Sequence, residues 1–283
     1  MARVILDELE SREIKAHYFH SNEHQAFVIA VENEEFLPIA LDIYRVKLGL
    51  KKPIEIDQEW VKIKSIPRGT WTLRILVFCV IVYLFSFFTI GEGLYTLFQI
   101  DSHESGFLLD VTRGQIWRVI TPIFLHMGIL HILFNMMWFF DLGNLFEHVY
   151  GKSKFFLFIL ISGIFSNLFQ YIYMGPRFGG MSGVLYGLLS FIWIRQKIDP
   201  QFEYKLPKHD STIMILWFFI CLFGIIPHVA NFAHAGGAFI GIVYASVMDL
   251  NENKWTVSRA KYLGMGIALL IVTVIVEKVR MNL

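Results

Sequence analysis

Long apolar runs, broken at intervals by small clusters of charge, dominate the chain from about residue 70 onward. A bilayer core of about 30 Å takes roughly 20 apolar residues of helix, so the informative windows are those without Asp, Glu, Lys or Arg. Val119 to Phe140, Phe155 to Pro176 and Phe178 to Ile194 are such windows, and Ser211 to Met248 is a double-length one. The last must fold back on itself. Pro227-His228 is the expected bend, because proline donates nothing to a helix ladder. Trp71 to Ile90 supplies a first span if Arg74 snorkels toward the headgroups, which makes six helices. Tyr262 to Val276, between Lys261 and Glu277, is shorter but apolar on every face and reads as a seventh span.

The first 65 residues have another character, charged and mixed. A helix over Ala2 to Glu13, strands at AHYFHS and AFVIAV and an amphipathic helix in EEFLPIALDIYRVKLGL give an α-β-β-α order, with KKPIEIDQEWVKIKSIPRG as the linker. The expected organisation is therefore an all-α polytopic membrane protein with a small α+β N-terminal cytoplasmic domain over residues 1–65. A six-helix membrane core follows over 66–250, and an extension with the seventh span over 251–283. No internal repeat or low-complexity tract competes with this division.

Composition agrees with the pattern: 55% of the 283 residues are hydrophobic and only 17% charged, far from the balance of a soluble domain. Net charge, +1, decides nothing, but its placement does. Lys51, Lys52, Lys62, Lys64 and Arg68 precede the first span, and further Lys and Arg clusters fall at 152–154, 195–208 and 254–261. The opposite-side loops hold Arg113, Arg118 and Arg177. Basic residues gather on the cytoplasmic side, so the N-terminus is expected in the cytoplasm and, with seven spans, the C-terminus outside. The acidic start MARVILDELE does not resemble a cleavable signal. Cys79 and Cys221 fall within spans and imply no disulfide framework.

Polar side chains at bilayer depth are costly and mark function by default. The second span carries His126, His131 and Asn135 in HMGILHILFNMMW, the third Asn167 and Gln170, the fourth Ser182, Tyr186 and Ser190, and the sixth Asn231 and His234. Spans two, four and six all start at the outer side. They therefore bring a His/Asn pair, a serine and a histidine to one level near the outer leaflet. A serine hydroxyl becomes a nucleophile when an imidazole takes its proton, and the resulting oxyanion needs fixed donors. Ser182 is the expected nucleophile and His234 the general base, with the Ser182 amide, His131 and Asn135 around the oxyanion. No carboxylate lies within a span to orient the histidine; Tyr186, one turn after the serine, is placed to do so by packing. Gly179, Gly180 and Gly183 leave the backbone bare for close approach, at the N-terminus of a helix. Taken singly, each feature has an ordinary explanation in helix packing or interfacial placement, GxxxG at Gly237 and Gly241 included. Their coincidence at one depth on three spans favours catalysis.

GGMSG with Tyr186, HMGILHILFNMMW, AHAGGAFIG and the outer-loop pair Trp117-Arg118 together resemble the rhomboid intramembrane serine proteases, of the bacterial GlpG type, over about residues 70 to 250. The resemblance implies a Ser182/His234 dyad without an acid, an oxyanion site from His131 and Asn135, Gly180 beside the nucleophile, and Tyr186 packed on the catalytic histidine. It further implies structural roles for Trp117, Arg118, Trp138, Glu147, Gly151, Gly237 and Gly241. The implied activity is cleavage of single-span membrane proteins near the outer face of the bilayer, in a bacterial inner membrane, with no cofactor, metal or nucleic acid involved. Entry past span five, through Trp217 and Phe218 of WFFICLF, is the expected substrate route. The seventh span and Met181 in the serine motif depart from the family pattern.

Rival readings find less support. A catalytically silent relative that escorts membrane proteins would be expected to lack Ser182 or His234. A proton-coupled transporter calls for acidic groups at mid-membrane. Metal-dependent proteolysis wants HExxH and aspartyl chemistry wants paired aspartates, and the spans contain neither.

Overall fold

The computed structural model describes residues 2–22, 25–51, 58–86, 91–102, 106–248 and 256–282. Much of the sequence-predicted linker, the end of the first span at Ile90, part of the outer loop after Asp101, and Lys254 lie outside the described residues. The chain divides into two compact units, Met1–Ile56 and Asp57–Leu283.

In the first unit α1 (Ala2–Glu10) is amphipathic, and its Ile5 and Leu9 are buried with Ile14, Ala40 and Ile43. The strands β1 (Ala16–Ser21) and β2 (Ala26–Val31) pair antiparallel, in a register from Ala16 opposite Val31 to Ser21 opposite Ala26. α2 (Leu37–Lys47) closes the unit. Glu8 pairs with Arg12 at 2.8 Å and with Lys47 at 3.3 Å, and these two cations hold its carboxyl below the ordinary value of 4.5.

The regular secondary structure among the second unit's described residues is all helical. α3 (Gln58–Lys64) falls where the sequence suggests a linker, and its Trp60 indole donates to Asp210 and packs on Trp138. α4 (Thr70–Phe85), α5 (Gly91–Phe98) and α6 (Leu109–Thr112) follow. Next come two 3-10 turns, Ile116–Val119 and Thr121–Phe124, and then α7 (Ile129–Met174). α7 is two helices run together, broken at Gly151, whose φ of 79° is a conformation glycine adopts without strain. α8 (Ser182–Ile198), α9 (Lys208–Leu222), α10 (Asn231–Val247) and α11 (Val257–Met281) complete the unit.

Helix limits depart from the charge-free windows for identifiable reasons. Residues 119–128 are not α-helical: Pro122 lacks a donor, Gly128 is extended, and the carbonyls of this stretch are taken by Asn167 Nδ2 on Val119 (3.0 Å) and the Gly180 amide on Pro122 (2.9 Å). The first half of α7 continues past Asp141 and Glu147, because Glu147 is buried and fully engaged. Its Oε2 accepts from the Thr72 amide (2.8 Å) and hydroxyl (2.9 Å), and its Oε1 accepts from the Trp71 amide (3.1 Å). α11 likewise extends beyond its apolar centre at both ends, taking in Arg259, which donates to the Ser246 and Met248 carbonyls, and Glu277. Among the described residues, Ile129–Met174 and Val257–Met281 are helices long and apolar enough to cross a membrane, and Thr70–Phe85 is apolar but shorter. The connection from α9 to α10 contains the expected bend, with positive φ at Gly224 and His228.

Candidate active site

α8 and α10 meet with almost no side chain between them. A Cβ on Gly237 would occupy the place of the Gly183 carbonyl oxygen, one on Gly241 that of the Gly187 carbonyl oxygen, and one on Gly187 would come within 3.1 Å of the Gly237 carbonyl. The two small-residue pairs therefore seat backbone against backbone, which helices in an apolar environment use for tight association. Ser190 Oγ adds a bond from α8 to the Ala238 carbonyl of α10 at 2.9 Å.

This approach places the first residue of α8 beside the first turn of α10. Ser182 Oγ lies 2.8 Å from His234 Nε2, across 52 residues of sequence. His234 is buried, and its Nδ1 has no hydrogen-bond partner among the described residues. Its ring lies 4.6 Å, centroid to centroid, from that of Tyr186. Tyr186 is itself anchored: its hydroxyl donates to the Met214 carbonyl of α9 (3.1 Å), and its ring makes an edge contact with Phe218. The histidine is thus oriented by an aromatic ring held from a third helix.

The other side of the serine is lined by glycine backbone. Gly180 has φ of 127°, accessible to glycine alone at low cost. A Cβ there would lie 2.7 Å from His131 Nε2 and 3.8 Å from Ser182 Oγ, so the His131 imidazole covers the bare loop immediately before Ser182. His126 lies against His131 with the rings tilted and their centroids 5.1 Å apart, and contacts the Phe124 carbonyl at 3.2 Å; it sits in the approach to α7 rather than within it. Asn135, one turn after His131, turns its Nδ2 back to the His131 carbonyl (2.7 Å), and its Oδ1 is buried without a partner among the described residues. Ser182, His234, Tyr186, Gly180 and His131 are therefore brought together, with Asn135 on the same helix face.

The remaining residues singled out from sequence lie elsewhere. Arg118 is buried and donates to the Thr96 (2.5 Å), Gln99 (2.8 Å) and Gln115 (2.7 Å) oxygens, whereas Trp117 is exposed. Trp138 meets Trp60, and Glu147 receives the start of α4. Gln170, which the sequence marks as polar without a role, accepts from the Ala233 amide at 3.1 Å and so caps the first turn of α10. Glu277, which the windows treat as the end of a span, reaches the same turn through Asn231.

Residues 113–249 match the family model described as Rhomboid domain. Similar relatives include the Rhomboid protease GlpG of Yersinia pseudotuberculosis serotype I (strain IP32953) and of Yersinia pestis (strain Pestoides F). Each is 33% identical over 178 residues, 62% of this chain and 62% of the relative. The Rhomboid protease GlpG of Salmonella choleraesuis (strain SC-B67) is 32% identical over 191 residues, 66% of each chain. The chain thus spans about three-fifths of the length of the first relatives it matches.

Proposed function

The chain carries a rhomboid domain of the bacterial GlpG-like kind, and from that premise we propose that it is an intramembrane serine endopeptidase acting on membrane-protein substrates. The observation that carries the reading is the 2.8 Å approach of Ser182 Oγ to His234 Nε2. His234 takes the Ser182 proton as Oγ adds to the scissile carbonyl, then delivers that proton to the departing amine nitrogen as the C–N bond breaks. Water, deprotonated by the same imidazole, adds to the acyl-serine ester; its collapse breaks the ester C–O bond and returns the proton to Oγ. The oxyanion of both steps is stabilised by the Ser182 amide at the start of α8, His131 over Gly180, and Asn135. Tyr186 stands where an acidic residue would otherwise orient the histidine.

The membrane arrangement that suits this chemistry has six spans in residues 66–250 and a seventh in 251–283. Residues 1–65 lie on the cytoplasmic side, 1–56 of them as the compact first unit, and the site opens to the outer face of a bacterial inner membrane. Single-span proteins enter past α9, whose Trp217 is exposed; Phe218, expected beside it at the entrance, is instead buried against the Tyr186 ring. A cleft of about 620 Å³ opens beside His126, Met127 and Gly128, the His126 ring lying next to that of His131.

Cleavage of a model single-span substrate in liposomes by wild type, Ser182→Ala and His234→Ala tests the reading, alongside fluorophosphonate labelling. Cutting and Ser182 labelling by wild type alone are expected. A wild type inert in several lipids, with Ser182 unlabelled, would replace the protease by a membrane-protein-binding relative.

A further inference from the structure

The last turns of α11 carry Glu277 and Arg280, and both side chains turn to the connection between α9 and α10. Glu277 is 6% exposed, and its Oε1 accepts from Asn231 Nδ2 at 2.6 Å and from Arg280 Nη1 at 2.8 Å. Arg280 also donates to the Leu222 carbonyl at 3.0 Å, with its guanidinium against the bare Cα of Gly224. Asn231 Nδ2 donates in addition to the Cys221 carbonyl at 3.0 Å. Cys221 and Leu222 end α9, where the helix ladder runs out: the Cys221 carbonyl accepts from the Gly224 amide at 2.9 Å as well as from Asn231, and the Leu222 carbonyl accepts from Arg280; Asn231 opens α10. One buried carboxylate thus ties the end of α11 to the last turn of α9 and the first of α10.

His234 belongs to that first turn, its amide donating to the Ala230 carbonyl at 3.1 Å. Ser182, by contrast, is placed by α8. Movement of the turn therefore changes the distance between the two reacting side chains directly. A carboxylate in apolar surroundings is costly unless paired, and charge-assisted bonds at 2.6 and 2.8 Å hold geometry more tightly than neutral ones. We propose that Glu277, with Arg280, is a positioning residue for His234, acting through Asn231, so that the seventh helix is part of what sets the dyad. The proposal rests on reading Ser182 and His234 as that dyad.

The test uses the full chain in liposomes, with hydrogen exchange over residues 231–234, the rate of Ser182 labelling by a fluorophosphonate, and substrate cleavage. Glu277→Leu is expected to raise exchange in this turn and to slow labelling about tenfold or more, as misplacement of a reacting group does, lowering kcat with KM unchanged. Asn231→Asp sets two carboxylates together and should lose as much. Adding Glu277→Gln to Asn231→Asp reverses donor and acceptor in the bond between the two positions and should restore part of the rate, the bond to the Cys221 carbonyl remaining lost. This rescue also decides the matter where Glu277→Leu does not fold. Unchanged exchange in Glu277→Leu, or a double variant no better than Asn231→Asp alone, overturns the proposal. A wild type that neither labels nor cuts, with exchange still raised by Glu277→Leu and restored in the double variant, removes the dyad reading and leaves the tether to α10 standing.

Discussion

Replacing Glu147 isolates a buried carboxylate that organises a helix start. It accepts from the amides of Trp71 and Thr72, at 3.1 and 2.8 Å, which are among the unpaired donors of the first turn of α4; the Thr72 hydroxyl adds a third bond at 2.9 Å. Asn144 completes the cap by accepting from the Gly69 amide at 2.8 Å. Glu147→Ala leaves two backbone donors and a hydroxyl facing apolar neighbours, each orphan costing about 1 to 3 kcal/mol. Removal of the carboxylate's own desolvation offsets part of this, so a net loss of about 3 kcal/mol is expected. Glu147→Gln keeps one acceptor oxygen, which can serve Thr72, amide and hydroxyl together, while its NH2 replaces the oxygen that faces the Trp71 amide, so roughly 1 kcal/mol should be lost. The assay is thermal unfolding in a mild detergent, followed by helix signal. At about 2 to 4 °C per kcal/mol for a unit of this size, Glu147→Ala should lower Tm by about 6 to 12 °C and Glu147→Gln by a few degrees. A Glu147→Ala Tm within about 2 °C of wild type would refute the reasoning, because the cap would then hold nothing that water does not supply equally well.

Three further outcomes follow from the geometry. Tyr186→Phe removes only the bond to the Met214 carbonyl and should label at Ser182 nearly as fast as wild type, whereas Tyr186→Ala removes the ring against His234 and should slow labelling by about tenfold or more. Gly237→Ala puts a methyl where the Gly183 carbonyl lies, forcing α8 from α10; cleavage should fall about a hundredfold, since displacement of about 1 Å suffices, while Ser190→Ala, which loses one interhelical bond, should retain most activity. In the first unit Arg12 and Lys47 hold the Glu8 carboxyl below 4.5, so its contribution to stability is present above that pH and lost as pH falls through the lower folded value. Exchange protection factors in α1 should decline on acidification, and Glu8→Gln should flatten that decline; the pairs are exposed, so the effect is small.

The linear pattern was enough to locate apolar segments, to mark Ser182, His234, His131 and Asn135 as polar groups in apolar surroundings, and to suggest from GxSG, HAGG and Tyr186 what chemistry they share. These are properties of single residues and short spacings: whether a side chain tolerates hydrocarbon, and which side chains one helix turn aligns. Pairing across the chain is another matter. GxxxG at Gly237 and Gly241 is visible in the sequence, but its partners Gly183 and Gly187 emerge only once α8 and α10 are in contact, and that contact produces the 2.8 Å approach of serine to histidine. Charge misleads for the same reason. Asp141 and Glu277 bound the charge-free windows because an isolated carboxylate is expelled from an apolar medium, yet the helix runs on past Asp141, and Glu147 and Glu277 are both buried, one by the amides of α4 and the other by Asn231 and Arg280. The sequence by itself determined which groups are costly to bury. The tertiary structure decided which partner offsets each cost, because donors such as the Thr72 amide for Glu147 and Asn231 for Glu277 come from elements tens of residues away.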